Sequence, residues 1–72
     1  METIIYEEKL FGDTKSLLQI KVVNGKLILT DAEYEIINMP IDKDYLVKFY
    51  KNVFEPDVFE RMMDQIYDCM EV

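Results

Sequence analysis

Histidine and tryptophan are absent from this 72-residue chain; cysteine occurs once, and glycine and proline twice each. Without histidine no Ser-His or Cys-His pair can form, and no side chain carries an unperturbed pKa near neutrality, which removes the usual agents of nucleophilic and general acid–base catalysis. The lone Cys69 has no intramolecular partner and falls within an apolar helical pattern, so a partly buried thiol in a reducing cytoplasm is expected. No apolar run nears the roughly 18 residues of a membrane span, and the acidic start of the chain lacks the basic region and apolar core of a secretory signal. A soluble, cytoplasmic protein is the expectation. Positive charge is scarce too: 8 bases face 15 acids, for a formal charge of -7. Nucleic acid and anionic membrane surfaces would repel such a molecule, whereas a basic protein would complement it.

What is present is enough apolar side chain to fold. Half of the residues are apolar, well above the content of a disordered acidic tail. The length leaves room for a single domain, residues 1–72, whose core contributes only about 3–5 kcal/mol of net stability. Residues 1–40 read as strands. Leu18, Ile20 and Val22, then Leu27 and Leu29, alternate with polar residues, and Asn24-Gly25 between them is the strongest short hairpin signal, because a type I′ turn needs positive φ at both central positions. A two-residue loop pairs Val22 with Leu27 and Ile20 with Leu29, the one register that gathers these apolar residues on one face. Thr3 to Phe11 predicts an earlier strand with Ile4, Tyr6 and Leu10 on one side, followed by a turn at Gly12-Asp13-Thr14. Glu33 to Met39 predicts a fourth strand or a bent continuation of the third, ended by Pro40, which cannot donate to a ladder.

From Asp42 the apolar period becomes helical. Asp42 is a candidate N-cap for a helix over 42–54, with Leu46, Phe49, Tyr50 and Val53 as its apolar stripe opposite Lys43, Lys48 and Lys51. Pro56 suits the first turn of a second helix over 56–71, where its missing N–H costs nothing, and Phe59, Met62, Met63, Ile66 and Met70 form a second stripe. The expected fold is α+β: an antiparallel sheet of three or four strands, then two C-terminal helices packed on one of its faces.

Two acidic clusters stand out as candidate partner-binding surface. On the second helix Asp57, Glu60, Asp64, Asp68 and Glu71 share a side, with Arg61 the one base of the segment. Carboxylates in the last turns oppose the helix dipole, and like charges four apart repel, so this arrangement gives up a few tenths of a kcal/mol at each position. A merely solubilising face is the competing reading, but Glu with a trailing Lys would serve that end at no such cost. The second cluster is Asp31, Glu33 and Glu35, placed by strand alternation on a solvent face with Tyr34 turned to the core; an exposed Tyr34 acting as an interface anchor is the competing reading, and guarding a sheet edge is the alternative use of the carboxylates. Neither cluster has the Asp-x-Asp-x-Asp-Gly spacing of a calcium loop, and no cofactor is expected.

The lysine-punctuated segment around Asn24-Gly25, the acidic stretch from Asp31 to Glu35 and the two helices ending in an acid-rich segment resemble the small phage-encoded anti-CRISPR proteins that mimic DNA. The likeness covers element order over roughly 15–72 and the charge. It implies an acidic α+β domain, acting without catalysis in the cytoplasm of a bacterial host, that occupies the basic groove of an RNA-guided nuclease without itself binding nucleic acid. Other readings share the charge: an antitoxin-like or immunity-like protein covering a basic active site, or a small regulatory homodimer held through apolar surface.

Overall fold

The computed structural model of the chain describes residues 1–9 and 16–70. Four strands, β1 (Glu2–Lys9), β2 (Ser16–Val23), β3 (Lys26–Asp31) and β4 (Ile36–Ile41), form one antiparallel sheet in sequence order, and two helices follow, α1 (Lys43–Tyr50) and α2 (Pro56–Met70). The architecture is α+β. Leu10, Phe11 and the predicted turn at Gly12-Asp13-Thr14 lie outside the described residues.

The core follows from alternation on the two central strands. β2 and β3 pair with Val22 opposite Leu27 and Ile20 opposite Leu29, and these four together with Leu18 are buried. Asn24 and Gly25 connect the strands, with φ of 52° and 78°. Leu46 and Tyr50 of α1 and Phe59, Met62 and Ile66 of α2 complete the same apolar cluster, so both helices cover one face of the sheet. The other face is held by cross-strand polar pairs: Lys21 with Glu2 at 3.7 Å, and the Gln19 amide donating to Glu7 at 2.6 Å.

The edge strands depart from simple alternation. In β1, Ile4 pairs with Lys21 and Tyr6 with Ile20, leaving Ile5 as an extra residue. This bulge packs Ile5 and Tyr6 together against the core and leaves Ile4 exposed, which corrects the expectation that Ile4 and Tyr6 share a side. In β4, Ile37 and Asn38 together oppose Thr30; Asn38 adopts a φ of 48°, its N–H donates to the Thr30 hydroxyl at 3.0 Å, and Ile37 is left on the surface. The strand begins at Ile36 rather than Glu33 and runs through Pro40, which pairs with Ile28. An edge strand tolerates proline because only one of its sides needs ladder donors.

Asp42 caps α1, its carboxylate accepting from the Tyr45 N–H at 2.9 Å. The helix ends at Tyr50, four residues short of the expected boundary, in a turn closed by the Val53 N–H donating to the Tyr50 carbonyl. Val53 is therefore exposed instead of completing the apolar stripe, and Phe49, though within the helix, is exposed as well. Phe54 docks edge-on against Tyr6 of β1, ring centroids 4.9 Å apart, and Pro56 then opens α2.

Candidate functional site

α2 is held to the sheet by Phe59, Met62 and Ile66, with Val58, Met63, Cys69 and Met70 half-buried around them. At about 100° per residue, Asp57, Glu60, Asp64 and Asp68 fall in a stripe centred opposite that buried face. All four are exposed. Glu71, predicted as the fifth member, lies outside the described residues. Among the described residues no cation comes within 4.0 Å of these carboxylates, although Arg61 borders the stripe. Lys43 of α1 approaches α2 but sits over the Tyr67 ring, 4.4 Å from its centroid. The stripe thus presents bare negative charge to solvent along about 16 Å of helix.

The second predicted cluster is rearranged. Ala32–Tyr34 is a turn of 3-10 helix, and Glu35 behind it adopts a left-handed φ of 57°. Glu33 and Glu35 face solvent, as strand alternation had also placed them, but Asp31 is buried and does not join them. One of its carboxylate oxygens accepts from the Glu33 N–H at 3.1 Å, capping the turn, and the other accepts from the Tyr50 hydroxyl at 2.6 Å. Burial, and then the Asp31 carboxylate that its hydroxyl donates to, hold Tyr50 protonated well above the ordinary tyrosine range. Tyr34, expected in the core, is 68% exposed, because the turn breaks the alternation that would have carried it inward.

This rearrangement creates a feature that strand and helix periodicity did not reveal. Tyr34 and Ile36 from the turn and β4, with Tyr45, Phe49 and Tyr50 from α1, line a crevice of about 350 Å³. Tyr50 is its buried member; Tyr34 and Phe49 are its exposed ones. Tyr45 lies against Phe49 with centroids 4.7 Å apart, and Lys48 stands 5.5 Å from the Phe49 centroid. The density of aromatic residues in Tyr45–Tyr50 was the available signal.

Among the described residues no three acidic or thiol side chains converge closely enough to hold a metal ion. Cys69 is half-buried. Among the described residues no helix is long and apolar enough to cross a membrane. No protein-family model, no curated protein and no solved structure matches this chain.

Proposed function

We propose that this protein is a non-enzymatic inhibitor that docks the carboxylate stripe of α2 on a basic, nucleic-acid-binding groove of another protein and so excludes the nucleic acid. The observation that carries the reading is the stripe itself: Asp57, Glu60, Asp64 and Asp68 lie opposite the buried face of α2, and among the described residues no base, bordering Arg61 included, comes within 4.0 Å of their carboxylates. The four charges span about 16 Å, roughly one per 5 Å, against one per 3.4 Å along a single strand of DNA. That density suits Arg and Lys side chains spaced to follow one phosphate strand, which carboxylates engage by charge-assisted hydrogen bonds. An RNA-guided nuclease of a CRISPR system is the target class that the resemblance implies, with a phage as the source of the inhibitor.

The test is displacement of labelled duplex DNA from such a nuclease by the protein, at low and high salt, followed by the Asp64→Asn/Asp68→Asn variant. Salt-sensitive displacement, weakened at least tenfold in the variant, is expected. Neutralisation also relieves like-charge repulsion between positions four apart, each pair worth about 0.2–0.5 kcal/mol, so the variant should melt no earlier than the parent. Displacement that the variant leaves unchanged would refute the assignment of the stripe.

A further inference from the structure

The geometry points to the crevice between α1 and the Ala32–Glu35 turn as the receptor for one arginine side chain of the basic partner; the inference rests on the reading of the chain as a binder of basic protein, and deepens it. Four of the five lining residues are aromatic, and the fifth is Ile36. Ring faces attract a cation through their quadrupole, and a guanidinium, planar and weakly hydrated, stacks on them better than an ammonium does. Lys48, 5.5 Å from the centroid of the neighbouring Phe49 ring, is an intramolecular instance of the same attraction.

Charge selects the occupant. Glu33 and Glu35, both exposed, flank Tyr34 in sequence, two negative charges against the one positive charge that Lys48 sets beside Phe49, so a positive group entering on the Tyr34 side meets opposite charge. An aliphatic or acidic side chain would gain the apolar contact without that complement. The site is also preorganised: Tyr50 is fixed by its hydrogen bond to buried Asp31, the same carboxylate that caps the turn bearing Tyr34. Both sides of the crevice are thus tied to one side chain, which lowers the ordering cost that an arginine would otherwise meet on binding. An exposed tyrosine such as Tyr34 is also among the residue types in which interface hot spots concentrate.

The probe is a blocked Gly-Arg-Gly peptide, with Gly-citrulline-Gly as its neutral isostere, titrated against the full chain while the aromatic and Ile36 methyl resonances are followed by NMR. Saturable shifts at Tyr34, Tyr45, Phe49 and Ile36 are expected with the arginine peptide, at least fivefold weaker with citrulline, and lost in Tyr34→Ala. Equal responses to the two peptides would overturn the cation assignment. Shifts that ignore Tyr34→Ala, or that concentrate on α2, would overturn the crevice. Concentration-dependent shifts at the crevice without any peptide would mean that a second copy covers it, which also refutes the proposal. The Asp64→Asn/Asp68→Asn variant should bind the arginine peptide as the parent does, so failure of the stripe and failure of the crevice read out separately.

Discussion

Removing the Tyr50 hydroxyl tests the joint between sheet and helix. In Tyr50→Phe the ring still fills the core, but the buried Asp31 carboxylate loses the donor that stood 2.6 Å away and keeps, among the described residues, the Glu33 N–H alone. A hydrogen bond to a charged group contributes about 1.5–3 kcal/mol, so a loss near 2 kcal/mol is expected. In a domain of this size that corresponds to a fall in Tm of roughly 8–16 °C. A double-mutant cycle with Asp31→Ala, followed by thermal and urea unfolding, isolates the pair from the packing of each residue; a coupling of about 1–2 kcal/mol is expected. The alkaline limb supplies an independent readout. Tyr50 is raised above the ordinary value of 10.0, so above that pH the unfolded chain gives up a proton that the folded chain retains. The contribution is intact below about pH 10 and declines as pH climbs from there toward the folded value. Tyr50→Phe should flatten this decline only in part, because Tyr6 is also raised, chiefly by burial and then by Glu8. A coupling below about 0.3 kcal/mol, with an unchanged alkaline limb, would refute the view that this bond ties the turn to α1.

Ile66→Ala, at a side chain with no exposed surface where α2 meets the core, should cost about 2–5 kcal/mol, a large share of what a chain this small has; circular dichroism should find the variant largely unfolded, and a cooperative melt near the parent Tm would contradict the packing. Glu35→Gly should stabilise by about 0.5–1 kcal/mol in chemical denaturation, since glycine relieves the left-handed φ of 57°, and a loss of stability would show that the Glu35 side chain makes contributions beyond its backbone position.

The central fold was legible because one physical constraint governed it. Burial of one sheet face fixed the alternation of Leu18, Ile20 and Val22 with Leu27 and Leu29, and with it the register; the same constraint at period 3.6 marked Phe59, Met62 and Ile66. Alternation failed where a residue answers a local backbone demand. Ile5 and the pair Ile37 and Asn38 sit in bulges, which shift the parity of everything beyond them without changing composition. Asp31 belongs to a capping pattern: an aspartate can accept from the N–H two residues on, and a buried tyrosine needs a partner for its hydroxyl, but Tyr50 is 19 positions away and nothing local announces the pairing. The left-handed turn end at Glu35 was hidden because glutamate seldom occupies that region. The α2 stripe could be read directly, since a helix held by one face must expose the opposite one.

The two borders of the sheet are unlike, and this governs how copies of the chain could associate through backbone pairing. Both border strands carry a bulge, at Ile5 in β1 and at Ile37–Asn38 in β4, but β4 also carries Pro40, which has no N–H, so its row of donors lacks one that β1 retains. An endless ribbon of sheets would need β4 of one copy to meet β1 of the next, and that junction is disfavoured. What is left is β1 against β1 about a two-fold axis, a contact that consumes its own template and stops at two. Association through backbone pairing should therefore stop at closed pairs, and the border that disfavours fibre growth is the one nearest the aromatic crevice.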